Sequence, residues 1–342
     1  MSGPLALFLA SFLALAGSFA LSWLFTGRVL AYLRRKAILD HPNDRSSHSI
    51  PTPRGGGWGV MLTLLPVWTL IAMTVDHPLR ALPILAGTVA LMAVSWMDDR
   101  RGLGPAPRFL AQIAAVVAGL TALPGGALPG DGLVFQGLLP FWADRLVAAV
   151  GWLWFVNLFN FMDGIDGLAG GEAASVGAGL ALVAALGVLD PALTLYGLAA
   201  AGAALGFLVW NWHPAKLFMG DVGSVPLGFT LGWLLLVLAA SGLWVAALLI
   251  PAYFLADATL TLLRRLAEGK KVWQAHREHF YQKATQRGRT HAQVVRLVLA
   301  LNATLLLLAV ASLALGWTVL PAGAAAVVLL LALLARPARA TA

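Results

Sequence analysis

Within Asn157-Leu-Phe-Asn160-Phe-Met-Asp163-Gly-Ile-Asp166-Gly-Leu168, two carboxylates stand three residues apart in a chain of which only 11% of residues are charged. An ionised group taken into a bilayer costs several kcal/mol, so acids beside long apolar runs need a reason. Asp98-Asp99 directly follows one such run, and Asp221 lies inside Phe218-Met-Gly-Asp-Val-Gly-Ser224. Carboxylates are ligands for hard divalent cations, and Mg²⁺ usually takes one or two of them together with substrate phosphates. Five acids exceed that number, so some must orient groups or move protons. Basic residues flank them: Arg45, Arg54, Arg108, Lys216 and the run from Lys270 to Arg289. Guanidinium forks grip phosphate bidentately. A metal-bridged pyrophosphate in a basic cleft fits this inventory.

Each cluster also has a plainer reading. Asp98-Asp99 could open a solvated loop and pair with Arg100-Arg101. Carboxylates at a helix C-terminus face the negative end of the macrodipole, each disfavoured by roughly 0.3–1 kcal/mol. Two together therefore call for compensation, from those arginines or from bound Mg²⁺. The i, i+3 spacing of Asp163 and Asp166 puts both on one face if the segment is helical, while Gly164 and Gly167 allow a turn or a close backbone approach. Asp221 sits between Gly220 and Gly223, where backbone amides can face phosphate oxygens.

The elements that must position these groups are membrane spans. The 342 residues are 60% hydrophobic with a mean hydropathy of +0.82, and the absence of Cys excludes disulfides and thiolate metal sites. Apolar runs of roughly 17–25 residues can span a bilayer. About eleven fit, near 4–26, 58–75, 81–97, 107–124, 143–160, 172–189, 191–210, 224–240, 242–263, 294–316 and 318–335. The first has no Lys or Arg before Arg28 and is too long for a cleavable signal, so it reads as a retained helix. No soluble domain or repeat is evident. The expected fold is an all-α polytopic membrane protein, one unit over 1–342, with a cytoplasmic-side active-site cleft.

Threading the spans alternately places 28–57, 98–106, 161–171, 211–223, 264–293 and the C-terminal tail on one side. Of the 23 Lys and Arg, all but Arg80 and Arg145 fall there. By the positive-inside rule that side is the cytoplasm, leaving the N-terminus periplasmic and the C-terminus cytoplasmic. A basic inner face suits anionic head groups and phosphate substrates. An inverted-repeat transporter would carry ionisable groups near mid-span; here the acids gather at helix ends on one side.

Five ordered motifs resemble the polyprenyl-phosphate N-acetylhexosamine-1-phosphate transferases of bacterial inner membranes (glycosyltransferase family 4 type), over nearly the whole chain. They are Arg45-Ser-Ser-His48 with Pro51-Thr-Pro-Arg-Gly-Gly-Gly57, then Asp98-Asp99-Arg, then Asn157-x2-Asn160-x2-Asp163-Gly-x-Asp166-Gly, then Asn211 through Lys216 to Phe218-Met-Gly-Asp221-x-Gly-Ser224, and His276-Arg-x-His279. That family includes the phospho-MurNAc-pentapeptide translocase of peptidoglycan synthesis and the GlcNAc-1-phosphate transferases.

The resemblance implies roles residue by residue. Asp98 and Asp99 match the paired acids, the first acting on the lipid phosphate, and Asp221 matches the Mg²⁺-ligating Asp, with Asp99 as a second metal contact. Asn157, Asn160, Asp163 and Asp166 match the motif near nucleotide and metal. Asn211 and Phe218 match positions that hold or stack on uracil, and His279 matches the His of the last cytoplasmic loop, which makes it a third candidate catalytic residue beside Asp98 and Asp99. The implied cofactor is Mg²⁺, with Mn²⁺ able to substitute. The implied partners are undecaprenyl phosphate, a UDP-N-acetyl sugar and membrane lipids, with a homodimer left open and no nucleic acid. The implied reaction transfers a sugar-1-phosphate to the lipid and releases UMP.

The chain lacks the consecutive His-His-His of the peptidoglycan branch. Its last loop reads His276-Arg-Glu-His-Phe-Tyr-Gln-Lys283, a pattern closest to the O-antigen-initiating subgroup that uses GlcNAc or 6-deoxy-N-acetylhexosamines such as FucNAc and QuiNAc. Arg108 stands where other branches carry lysine. His213, after Trp210-Asn-Trp212, is expected in an interfacial aromatic belt, and His41, His48, His77 and His291 in loops. A CDP-alcohol phosphatidyltransferase also uses Asp-x2-Asp-Gly, but Gly170-Gly171 replaces its Ala-Arg and the next acids, Glu172 and Asp190, break its spacing.

Overall fold

Helices cover most of every apolar segment expected from the sequence in the computed structural model, which describes residues 3–40, 50–125, 132–271, 274 and 276–337. The helices run α1 (Pro4–Arg35), α2 (Gly57–Thr74), α3 (Pro78–Arg101), α4 (Pro105–Gly119), α5 (Phe141–Phe161), α6 (Leu168–Leu186), α7 (Pro191–Asn211) and α8 (Asp221–Leu249). They continue with α9 (Ala252–Ala267), the short α10 (Phe280–Gln286), α11 (His291–Leu315) and α12 (Leu320–Leu334). A two-residue antiparallel pair, β1 (Leu39–Asp40) with β2 (Thr52–Pro53), lies between α1 and α2.

The chain is an all-α polytopic membrane protein. Among the described residues, eight helical stretches are long and apolar enough to cross a bilayer. That number is smaller than eleven for physical reasons. α5 carries Asp144, Arg145, Asn157 and Asn160, which lower its hydropathy. The segment expected over 242–263 is broken at Ile250-Pro251. His291–Leu334 counts as one stretch of 44 residues, about twice what a bilayer needs, but it turns at Gly316 and α12 packs back along α11.

Close helix contacts rest on small residues, as they do where lipid supplies no hydrophobic force between helices. A Cβ on Gly177 of α6 would meet Gly197 O and Ala201 N of α7 at 2.7 Å, and one on Gly202 of α7 would meet Leu15 O of α1 at 2.2 Å. α8 is the central pillar: nearly every residue from Val222 to Leu238 is buried, against α3 on one side and α5 on another. Asp221 opens this pillar, at the helix end where a carboxylate is favoured. Asp98 and Asp99 close α3, where Gly102 (φ 64°) ends the helix.

Candidate active site

The Pro-Arg-Gly-Gly-Gly stretch is a backbone clamp. Phe218 N–H donates to Pro53 O (2.8 Å), Gly55 and Gly56 N–H donate to Phe218 O (3.1 and 2.8 Å), and Gly57 N–H donates to Met219 O (2.9 Å). Such an approach leaves no space for side chains: a Cβ on Gly57 would meet Gly223 Cα at 2.3 Å. The clamp delivers Arg54 to the acids. Its Nη2 lies 2.7 Å from Asp221 Oδ1 and 3.2 Å from Asp99 Oδ1. Arg108 reaches the same group from α4, 2.7 Å from Asp98 Oδ2 and 3.7 Å from Asp221 Oδ2.

Compensation for the paired acids thus comes from these two distant arginines. The neighbouring Arg100 instead lies over the Trp96 ring, 5.5 Å from its centroid. Burial opposes the charge on Arg54, but Asp221 and Asp99 outweigh it and hold the guanidinium firmly protonated. Burial also pushes the Asp163 carboxyl up to about 7, with Arg54 opposing and Asp221 and Asp99 adding to the rise. Among the described residues, four carboxylates therefore share two guanidiniums, an arrangement short of positive charge, and Asp99 Oδ2 is buried without a hydrogen-bond partner. Asp99 and Asp221 present the oxygen ligands that a hard divalent cation uses.

The segment between α5 and α6 is a turn, so Asp163 and Asp166 do not share a helical face. Gly167 adopts φ 78°, a conformation glycine takes without penalty. Asp163 lies in the electrostatic field of Arg54, Asp221 and Asp99, whereas Asp166 bonds to His213, His291 and the Ala215 amide. His213 and His291 are thus joined to a site motif, contrary to the expectation of an aromatic belt and a free loop. Burial raises the Asp166 carboxyl, but hydrogen bonds from His291 and His213 prevail and hold it below the usual carboxylate range.

The asparagines act as struts. Asn157 Nδ2 donates to Gln112 Oε1 (2.8 Å), and Asn160 Nδ2 donates to Ser224 Oγ (2.8 Å) on the first turn of α8. Buried Asn211 accepts from Gly167 N–H (2.9 Å) and donates to Leu217 O (3.0 Å), tying two polar loops together. Phe218 is partly buried on the clamp, and Lys216 Nζ sits 5.2 Å from the Trp210 ring centroid. Arg45 and the Arg45–His48 motif lie outside the described residues.

His279 is buried, its Nδ1 3.3 Å from Asp257 Oδ1 of α9. Among the described residues, none of its hydrogen bonds or ring contacts reaches Asp98, Asp99, Asp163 or Asp221. The His276 ring lies tilted beside it, with centroids 4.9 Å apart, and burial, with the charges of His279 and Arg265, pulls it down to about 4. The link to the site is Tyr281, whose hydroxyl donates to Phe161 O (3.0 Å) and covers Gly164. A Cβ at Gly164 would meet that hydroxyl oxygen at 2.1 Å. Gly164→Ala is expected to impair turnover about tenfold or more, by displacing Asp163, since small misplacements cost up to roughly 10²-fold. Kinetics of Gly164→Ala with and without Tyr281→Phe checks this; the double variant should recover part of the loss, and full additivity would show that the two do not touch.

A groove of about 660 Å³ opens beside the acids. Leu91, Val94, Phe109, Leu153, Trp154 and Leu262 give it apolar walls, and Arg108, Gln112, Asn157, Asn160 and Asp221 supply polar groups. An apolar channel carrying an arginine and a carboxylate suits an amphiphile with a phosphate head.

The profile of glycosyl transferase family 4 matches residues 81–239. The phospho-N-acetylmuramoyl-pentapeptide-transferase of Synechococcus sp. (strain RCC307) is 35% identical over 281 residues, which is 77% of this chain and 75% of that protein. The chain belongs to glycosyl transferase family 4. It is also similar to the decaprenyl-phosphate N-acetylglucosaminephosphotransferase of Mycolicibacterium smegmatis (strain ATCC 700084 / mc(2)155), 29% identical over 84% of this chain and 78% of the relative. The probable undecaprenyl-phosphate N-acetylglucosaminyl 1-phosphate transferase of Bacillus subtilis (strain 168) is 27% identical over 76% and 73%.

The stretch matched to family 4 spans Asp98, Asp99, Arg108, Asn157, Asp163, Asp166, Asn211 and Asp221, but not Arg54, Asp257 or His279. Asp257 escaped the reading of the sequence, although an acid inside an apolar run is itself a signal. Tyr281 was legible only as part of the last-loop pattern, and His213 and His291 only as belt and loop residues. Their partners lie more than 40 residues away, and no local spacing announces them.

Proposed function

We propose that this family 4 chain transfers an N-acetylhexosamine-1-phosphate from a UDP-sugar to a polyprenyl phosphate such as undecaprenyl phosphate, releasing UMP. The supporting observation is the meeting of an apolar groove with Asp221, Arg108 and the Arg54-bridged acids. In this reading the lipid tail lies along the groove, and its phosphate oxygen attacks the β-phosphorus of the UDP-sugar. The new P–O bond forms as the bond from that phosphorus to the bridging oxygen breaks, and UMP leaves. Arg54 and Arg108 hold phosphate oxygens, and Asp98 orients the lipid phosphate through Arg108. That phosphate is already largely anionic near neutral pH, so no general base is required. Mg²⁺ or Mn²⁺, held by Asp221 and Asp99, would neutralise charge on the pyrophosphate when bound.

Asn157, Asn160, Asp163, Asp166, Asn211, Phe218 and Lys216 belong to the nucleotide and sugar side, and His279 positions its loop over the site. The protein sits in a bacterial plasma membrane with its C-terminus cytoplasmic, as the split of basic residues supports. The His276-to-Lys283 pattern favours GlcNAc, FucNAc or QuiNAc as the sugar and initiation of an O-antigen-like envelope glycan. A second reading, transfer of phospho-MurNAc-pentapeptide, is supported by the Synechococcus relative.

Membranes incubated with undecaprenyl phosphate, Mg²⁺ and a panel of radiolabelled UDP-N-acetyl sugars, UDP-MurNAc-pentapeptide included, test both. Label in a lipid pyrophosphate with stoichiometric UMP is expected from a UDP-N-acetylhexosamine. Turnover of the MurNAc-pentapeptide donor alone would select the second reading, and no UMP from any donor would reject both.

A further inference from the structure

Asp166, His213 and His291 come from three separate polar segments: the turn before α6, the loop after α7, and the first residue of α11. Asp166 Oδ2 lies 2.6 Å from His213 Nδ1 and 3.3 Å from His291 Nδ1, and the three atoms fall within 4.8 Å of one another. Two backbone amides join them: Ala215 N–H donates to Asp166 Oδ2 (3.2 Å), and Asp166 N–H faces His291 Nδ1 (3.3 Å).

Hydrogen bonding alone serves this group poorly. His291 Nδ1 faces an amide proton, which calls for its lone pair, and a carboxylate oxygen at the same distance, which calls for a proton. One ring nitrogen cannot answer both. A cation among Oδ2 and the two Nδ1 atoms removes the opposition of lone pairs. The single carboxylate also offsets the positive end of the α11 dipole, which would otherwise repel such an ion.

We propose that Asp166, His213 and His291 form a second metal site, for a Zn²⁺-class ion. Two imidazoles and one carboxylate are the donors of borderline ions such as Zn²⁺ and Co²⁺, whereas Mg²⁺ selects oxygen, as at Asp221 and Asp99. Three protein ligands leave a coordination position for water or a ligand oxygen. The ion staples the loop of Asn211 and Phe218 to the turn carrying Asp163, alongside the Asn211–Gly167 bond.

The test is metal binding, which does not depend on the sugar-transfer reading. The full chain, purified in detergent and stripped with chelator, is titrated with Co²⁺ while visible ligand-field absorption is recorded. One equivalent with tetrahedral-type bands is expected, displaced by Zn²⁺ and not by Mg²⁺. His213→Ala and His291→Ala should each weaken Co²⁺ by more than the roughly 100-fold that loss of an outer hydrogen-bond partner costs, while Asp221→Asn leaves it unchanged. His213 is about a third exposed, so its variant carries the test if His291→Ala misfolds. Absence of stoichiometric Co²⁺ in the wild type, or undiminished binding in His213→Ala, would overturn the site.

Discussion

Asp221→Asn is expected to lower transfer by at least about 10²–10³-fold, the loss typical when one group that stabilises charge in a transition state is removed. The substitution keeps size and polarity but removes the charge that both Arg54 (2.7 Å) and Arg108 (3.7 Å) approach. The fold should tolerate it. Arg54 retains Asp99, Arg108 retains Asp98, and Asn still presents an acceptor at the first turn of α8. Purified variant and wild type are compared by UMP release at saturating Mg²⁺ and by thermal unfolding. Turnover near wild type would remove Asp221 from the ion's ligands. An equal loss of folded protein would make it structural.

Asp257→Ala should produce the largest loss of stability together with a loss of activity. This buried carboxylate on α9 accepts from the Phe280 and Tyr281 amides (2.9 and 3.2 Å) and from the Tyr253 and Thr261 hydroxyls (3.0 and 3.3 Å), with His279 Nδ1 at 3.3 Å. It caps α10 from another helix. Alanine strands several buried donors, each costing roughly 1–3 kcal/mol, and breaking a buried charge-assisted network typically costs about 3–5 kcal/mol. The resulting slack passes through Tyr281 to Phe161 O and Gly164, beside Asp163. A fall in the unfolding midpoint of several degrees and a turnover loss of about 10²-fold are therefore expected together. His279→Ala removes one member of the network and should act in the same direction more weakly, with kcat falling more than KM rises. An Asp257→Ala protein with an unchanged midpoint would show that α9 does not hold this loop.

The Asp257 network marks where a reading of the sequence stops. Apolar runs of bilayer length, the crowding of Lys and Arg into alternate connections, and acids abutting those runs are local properties. They placed the apolar helices in outline, though not the break at Ile250-Pro251, and picked out Asp98, Asp99, Asp163 and Asp221 as candidates. The glycines of Pro-Arg-Gly-Gly-Gly were legible as a motif, but not as the backbone clamp that sets Arg54 over Asp221.

Which charges answer which was decided only by the tertiary structure. Asp98-Asp99 is paired with Arg54 and Arg108 from other elements, while adjacent Arg100 turns to Trp96. Asp163 and Asp166 share a motif yet join different clusters, because a turn with Gly167 at positive φ replaces the helix that would have aligned them. His279 faces Asp257, and His213 and His291 meet across 78 residues. The physical reason is common to all of them. Hydrophobicity acts on each segment separately and leaves a periodic trace, whereas a hydrogen bond or ion pair needs its partner within about 3–4 Å, and sequence spacing does not encode that distance once helices pack.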